Sequence, residues 1–583
     1  MRSSFALTLG TAAVLAVSLA LGCGSGSSGS AGASGGDGGG ASSSGGVHGD
    51  GGASSSGGSS SGASSSGSAS SSGSSSSGGS SSGGTSSSGG SSSGGADGGG
   101  SSGVGGQTMN YFLGLNGFID DPTNLLSAIG NVREYHDWQW CEGNGDPSYP
   151  GYPDNLNSYS LFGGSWDFDT YYGALKTAGV WAAPVIQGGI PWLNNGAVPP
   201  VAAGASVTDP TSYVAHADQM FQYAARYGAT TVPTSELKVA TGQTVASGMN
   251  VLQTLEDFNE EDAWWVNSDG SPVFSPAAYA AMASADYDGD QGRLGTTFGV
   301  KQADPKMRMV MGGLSGKYPT SAWPASITSY LDGVRTWAQT NRGGSFPADV
   351  LNVHHYSFGP NNAAISPEDD GVEAAMKQVV AYRDQNLPGK EVWITEFGYD
   401  TDASSDLHAP AIGSSSAEIV QGQWLVRTYL ALLAAKMDRA FMYILRDDCS
   451  TPPCSTQFST AGLTTVKGQW TPKPAYYFLA TLEGRLGSMV WEGEPATGNA
   501  SVLEATFADT ATKGGAYVLW APTSTGTTVK GFSLDVGSAT KVTQVALADQ
   551  QLTGTATSLT PASGKVSIDV SETPVLVLVD VKP

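Results

Sequence analysis

The sequence predicts an α/β chain: a (β/α)8 TIM barrel over residues 107–483, a small all-β sandwich over 484–583, and a disordered Gly/Ser stretch over 24–106 ahead of both. Three observations predict it. Before Gln107 the composition is almost entirely Gly and Ser. From there to Glu483 apolar runs of strand length alternate with helix-like segments. From Gly484 the runs become short and alternating, with Gly, Thr and Ser between them.

Residues 1–23 read as an export signal. Arg2 supplies the positive start, and an apolar run from Phe5 to Leu21 is too short and too weakly flanked for a lasting membrane span. The run ends Ala20-Leu21-Gly22-Cys23, which resembles a bacterial lipoprotein signal, although that pattern usually carries Leu where Ala20 stands. The resemblance implies cleavage before Cys23, a lipid on its sulfur, and an exported protein at the bacterial cell surface or outer membrane. Residues 24–106 hold no aromatic and almost no large apolar side chain, so they cannot bury enough surface to offset chain entropy. They are expected to act as a tether with a root-mean-square span of roughly 50 Å.

The barrel is assigned from eight apolar runs, read as buried parallel strands: Tyr111–Phe118, Asn131–Tyr135, Val180–Gln187, Leu252–Phe258, Arg308–Gly312, Val350–His355, Glu391–Thr395 and Arg439–Ile444. Helices are expected between them. Two begin Ser-Pro, at Ser275-Pro276 and Ser366-Pro367, where Ser caps and Pro suits the first helical position. A doubly wound sheet is the rival fold, but no Gly-rich phosphate fingerprint follows the first strand. In the last hundred residues, seven short strands between Val490 and Val581 suit a sandwich.

The net charge of −24 sits almost wholly in the folded part, since Arg2, Asp37, Asp50 and Asp97 are the charged side chains before it. An acidic surface repels nucleic acid and other polyanions, so no nucleic-acid partner is expected. Of four cysteines, Cys23 goes to the anchor, Cys449 and Cys454 are placed to close a small disulfide, and Cys141 is left as a free thiol. No pair of CxxC motifs or His cluster suggests a metal, no organic cofactor is implied, and a monomer is expected.

In a β/α barrel the chemistry lies where strands end. The fourth predicted strand runs out in Glu256-Asp257-Phe258-Asn259-Glu260-Glu261-Asp262, and the seventh in Thr395-Glu396-Phe397-Gly398. A carboxylate closing an apolar strand costs free energy unless it has partners. Two of them on different strands suit glycoside hydrolysis, where one carboxyl protonates the departing oxygen and the other attacks the anomeric carbon or activates water. Asp257, Glu261 and Asp262 read as solvated neighbours that compete with Glu260 if the register slips.

These motifs carry a resemblance. Asn259-Glu260, Thr395-Glu396-Phe397-Gly398, His354-His355-Tyr356 and Asn131-Val132-Arg133 resemble the retaining glycoside hydrolases of clan A, and Arg226-Tyr227-Gly228 resembles their xylosidase-like branch. The resemblance spans about residues 107–483. It implies a β-linked carbohydrate as partner and substrate, with Glu260 as acid/base and Glu396 as nucleophile. Asn259 would bond the sugar hydroxyl beside the anomeric carbon, Arg133 would keep Glu396 ionised, Tyr356 would position it, and His354 would sit alongside. Many clan members place a Trp near the end of strand eight, whereas this chain reads Tyr443-Ile444-Leu445-Arg446-Asp447, so Arg446 or Asp447 is a candidate contact to substrate. Among aromatics near strand ends, Trp138, Trp192 and Trp264 are expected to be exposed platforms for sugar rings.

A surface-anchored carbohydrate-binding protein on an inactive barrel is the alternative, though such a barrel need keep neither Asn259-Glu260 nor Glu396. For the anchor, Cys23→Ser is expected to release the protein into the medium, read by fractionation of cells and supernatant. Retention in the membrane with unchanged processing would exclude Cys23 as the attachment point.

Overall fold

The structure, a computed structural model, describes residues 107–142, 156–159, 166–263, 266–267, 269–316 and 322–582. The signal with Cys23, the Gly/Ser tether and Trp264 lie outside these residues.

Eight parallel strands close into a barrel in sequence order: β1 (Leu113–Gly117), β2 (Asn131–Asp137), β3 (Ala182–Gln187), β4 (Thr254–Asp257), β5 (Arg308–Met311), β6 (Val350–His354), β7 (Glu391–Glu396) and β8 (Arg439–Met442). Each lies within a residue or two of a predicted apolar run. Strands covered on both faces read as unbroken hydrophobic stretches, so the signal is strong. Closure is through β1 and β8, with Gly114 opposite Phe441. Gly114 lacks a side chain because a Cβ there would overlap the Phe441 ring.

Helices wrap the barrel. Ser275 caps the helix Pro276–Asp288 by accepting from Ala278 N at 3.2 Å, as its Ser-Pro start predicts. The second Ser-Pro site behaves differently. Ser366 caps only a single turn, Pro367–Asp370, and Gly371 at φ 73° breaks it before Val372–Asn386 begins. A left-handed φ is where glycine replaces other residues at little cost.

The C-terminal region forms a six-stranded antiparallel sheet in the order β14-β13-β16-β11-β10-β9 and a two-stranded sheet β12-β15. The strands are β9 (Met489–Gly493), β10 (Leu503–Asp509), β11 (Gly515–Trp520), β12 (Thr528–Asp535), β13 (Val542–Ala546), β14 (Thr555–Leu559), β15 (Lys565–Ser571) and β16 (Val575–Val579). Sequence patterning misses β14, whose residues Thr555–Ser558 are exposed and therefore carry no alternation.

Alternation divides the six-stranded sheet into two apolar faces. Tyr517, Leu519, Val575 and Val577 pack with Leu534, Val566 and Ile568 of the smaller sheet. Phe507, Val518, Trp520 and Leu576 join the core that runs through the barrel. Polar contacts reinforce the seam: Trp520 Nε1 donates to Glu368 Oε1 at 2.9 Å, and Arg427 pairs with Glu368 while donating to Thr523 O at 3.0 Å. Barrel and sheets thus share one compact unit.

Trp520→Ala is expected to cost about 3–5 kcal/mol, the range for deleting a buried large aromatic. Barrel and sheets should still melt in one denaturant transition. Two separated transitions in the wild type, followed by tryptophan fluorescence and far-UV circular dichroism, would contradict the shared core.

Candidate active site

The barrel's C-terminal rim gathers polar residues from β1, β2, β4, β6 and β7 around one guanidinium. Arg133 on β2 is fully buried and spends every N–H it has. Nε and Nη2 grip Glu256 at 2.8 and 2.7 Å, and Nη2 also reaches Asn259 Oδ1 at 2.7 Å. Nη1 donates to Asn116 Oδ1 at 2.9 Å and to Glu396 Oε1 at 2.8 Å. Asn259's amide oxygen being taken, its NH2 is the group left for a ligand.

Glu396 ends β7 and is held from three further sides. Tyr356 donates to Oε2 at 2.9 Å, Tyr135 donates to Oε1, and His354 Nδ1 lies 3.6 Å from Oε1. Residues two apart on a strand share a face, so Arg133 presents Tyr135 alongside itself on β2. An irregularity of register between Val353 and His354 sets His354 opposite Glu396. His354 Nδ1 lies 3.1 Å from Glu260 Oε1, and Nε2 lies 3.0 Å from Thr395 Oγ1. The ring fits because position 313 is glycine; a Cβ there would overlap Nε2. His355 points away from the site, toward Asp370, and stacks on Trp323 at 4.2 Å.

Glu260 lies beyond the end of β4 in a contorted segment. Phe258 and Glu260 both adopt left-handed φ, 77° and 49°. Such conformations cost non-glycine residues about 1–3 kcal/mol each and persist where surrounding structure enforces them. One carboxylate oxygen of Glu260 lies within 4.8 Å of one of Glu396.

Their electrostatics diverge. Burial works to raise the Glu396 pKa. The His354 and Arg133 charges and the Tyr135 and Tyr356 hydroxyls outweigh it and hold the carboxyl below its ordinary value. Burial raises Glu260 above its ordinary value; the His354 hydrogen bond opposes this and the Glu396 charge adds to it. One carboxyl is thereby kept as the anion and its neighbour is biased toward the acid.

Several expectations need correction. Trp138 is buried, its ring packed edge-on against Trp192 at 6.2 Å and His216 at 5.2 Å, so it is a core residue and not a platform. Trp192 is half-buried and donates to Glu142 Oε2 at 3.2 Å. Asp257, Glu261 and Asp262 are buried rather than solvated. Asp262 accepts from the backbone of Ser315 and Gly316, each at 2.8 Å. Arg446 pairs through Nη1 with Asp120 and Asp121, and Asp447 pairs with Lys473 at 2.9 Å.

In place of the strand-eight tryptophan stands a group of half-buried rings. Tyr443 meets Tyr135 at 6.0 Å and Phe458 at 5.7 Å, and Phe458 meets Tyr356 at 4.7 Å. Phe458 comes from the loop after the Cys449–Cys454 disulfide, the pairing expected from the sequence; Cys141 is free and buried. Buried Asp400 positions that loop by accepting from Phe458 N and Thr460 N, each at 2.8 Å. Sequence reading missed Glu256, Tyr135, Asn116 and Phe458. Period-two alternation from Arg133 would have found Tyr135, whereas no local signal marks Phe458.

No family model matches the sequence, and no curated protein matches it. Solved structures do match its fold. A family 39 glycoside hydrolase from the gut symbiont Bacteroides cellulosilyticus WH2 is 16% identical, with 82% of this chain and 83% of that one covered at a TM-score of 0.52. A glucosidase from Croceicoccus marinus is 13% identical, with 81% and 96% covered at a TM-score of 0.50. The chain shares the closed barrel of these glycoside hydrolases.

Tyr356→Phe is expected to raise the Glu396 pKa, because losing a hydrogen bond to the anion disfavours it. Arg133→Gln should raise it further and cost roughly 3–5 kcal/mol, since Glu256 loses its buried partner. Carbon-13 carboxyl NMR titration and denaturant melts measure both. A Glu396 titration that stays put or falls would contradict the assigned network.

Proposed function

We propose that this chain is a retaining glycoside hydrolase that cleaves β-linked bonds in a neutral polysaccharide or oligosaccharide. The observation that carries the reading is the pair Glu260 and Glu396. One oxygen of each lies within 4.8 Å of the other, and their pKa values are pushed in opposite directions. Retaining enzymes hold their carboxyls roughly 5–5.5 Å apart, whereas inverting enzymes need about 6.5–9.5 Å to admit a water. A protein that only bound sugar would have no use for such a pair.

Glu396 acts as nucleophile. As the anion it attacks the anomeric carbon while Glu260 passes its proton to the departing glycosidic oxygen, leaving a covalent glycosyl-enzyme. Glu260, now the carboxylate, takes a proton from water, and the resulting attack releases the sugar with its β configuration restored. The free amide of Asn259 is placed to donate to the hydroxyl beside the anomeric carbon. The rings of Tyr135, Tyr443 and Phe458 offer apolar surface to a sugar face. The lipid on Cys23 and the Gly/Ser stretch would hold the enzyme near polymer at the cell surface.

Activity needs Glu396 ionised and Glu260 protonated. It should fall on the acid side only below the ordinary carboxylate range, where Glu396 takes up its proton. On the alkaline side it should fall above that range, where Glu260 loses its own.

The two glutamates should fail differently. Glu396→Ala should be nearly inactive on every substrate. Glu260→Ala should lose natural glycosides, keep the first step on aryl glycosides with good leaving groups, accumulate glycosyl-enzyme, and turn over with azide to a β-glycosyl azide. Azide rescue of Glu396→Ala to an α-product, with none for Glu260→Ala, would reverse the roles. Normal hydrolysis by both variants, read as reducing ends from glucan, xylan, mannan and galactan, would end the proposal.

A further inference from the structure

Behind the barrel wall, on the side of β4 opposite the site, three side chains from three elements meet. Alternation along β4 sends Glu256 inward to Arg133 and Asp257 outward toward the helices. There Asp257 meets His216, in the first turn of the helix Val214–Tyr227, and Asp286, in the last turn of Pro276–Asp288. One ligand-type atom from each lies within 4.8 Å of the other two, and all three residues are at most 0% exposed. His216 Nδ1 is 2.9 Å from Asp286 Oδ2.

The hydrogen bonding is conspicuously incomplete. The carboxyls of Asp257 and Asp286 lie against each other, and among the described residues no donor reaches either oxygen of Asp257 or Oδ1 of Asp286, while Nε2 of His216 has no partner. No arginine or lysine among the described residues pairs with either carboxylate. Two carboxylates in an apolar interior are costly unless something neutralises them. A shared proton would neutralise one, yet would leave an Asp257 oxygen and His216 Nε2 still unpartnered. A divalent cation neutralises both and uses the free lone pairs.

We propose that His216, Asp257 and Asp286 form a structural site for a divalent transition-metal cation. One imidazole nitrogen, one Asp286 oxygen and a bidentate Asp257 make four donors, a set that suits Zn2+ and also Mn2+. Imidazole in the set disfavours Ca2+ and Mg2+, which prefer all-oxygen cages. The ion would tie β4 to its two flanking helices immediately before the contorted segment Phe258-Asn259-Glu260. Its role is positional and is independent of the proposed reaction.

The test is metal analysis on the full folded protein, produced with Zn2+ and Mn2+ in the medium and passed through metal-free buffer. About one equivalent of metal per chain is expected by mass spectrometry, released on unfolding in guanidinium. Asp257→Asn and His216→Gln, each near the size of the original, should each lose at least about tenfold of it. Glu396→Gln, which alters the other cluster of metal-ligand type among the described residues, should keep it. Thermal unfolding should shift to lower temperature after refolding with chelator and recover on adding Zn2+ or Mn2+. Under about 0.1 equivalent in the wild type, with no uptake on refolding in either metal, would overturn the proposal. So would metal that survives Asp257→Asn and is lost in Glu396→Gln. Should both cluster variants fail to fold, the wild-type stoichiometry and the Glu396→Gln result decide the matter alone.

Discussion

The guanidinium of Arg133 is the constraint on which the rest of the site depends. Its N–H groups reach Glu256, Asn259, Asn116 and Glu396, so a single cation ties β2 to β1, to β4 and the segment after it, and to β7. A planar fork with fixed donor directions suits this better than a point charge would. The two carboxylates it holds differ in accessibility. Glu256 is sealed and serves as counter-charge, while Glu396 keeps an edge facing the rim. Burial makes each bond strong, and it makes the loss of any one partner expensive.

Around that centre the chain accepts local conformations it would otherwise avoid. The left-handed turns at Phe258 and Glu260 lift the Asn259-Glu260 pair off β4. Glu260 is aimed across at His354 and Glu396, while Asn259 is turned back to Arg133. Across the same rim the loop after β8 brings Phe458 to the rings of Tyr356 and Tyr443, with Asp400 fixing its backbone. Preorganisation here is a matter of side-chain hydrogen bonds around Glu396, Glu260 and Asn259 and of backbone hydrogen bonds in the Phe458 loop, which leave the side chains little freedom to relax when charge develops between them.

The C-terminal sheets are tied to the barrel's helical shell. Glu368 receives both Arg427 and Trp520, so the one-turn helix at Ser366 joins the barrel's helical shell to the six-stranded sheet. The sheet covers apolar helix surface that would otherwise face water, and its own second face is covered by β12 and β15.

The sequence by itself determined the barrel, because parallel strands covered on both sides are written as apolar runs that need no partner to be recognised. It likewise marked Glu260 and Glu396, since carboxyls at the ends of such runs stand out against their surroundings, whereas Arg133, Asn259, His354 and Tyr356 were singled out through the resemblance of their motifs to clan A glycoside hydrolases. The short disulfide was legible from spacing. What the tertiary structure alone decided was which way neighbouring polar residues face. Asp257, Glu261 and Asp262 look solvated in a row of carboxyls, yet all are buried: alternation on β4 turns Asp257 onto the flanking helices, and Asp262 takes the backbone N–H groups of Ser315 and Gly316. Trp138 looks like a platform and is core because Trp192 and His216 pack against its ring. Phe458 joins the site from a loop that no periodicity describes. Local pattern reports burial averaged along an element, whereas the direction of a side chain at an irregular strand end depends on contacts with residues tens of positions away.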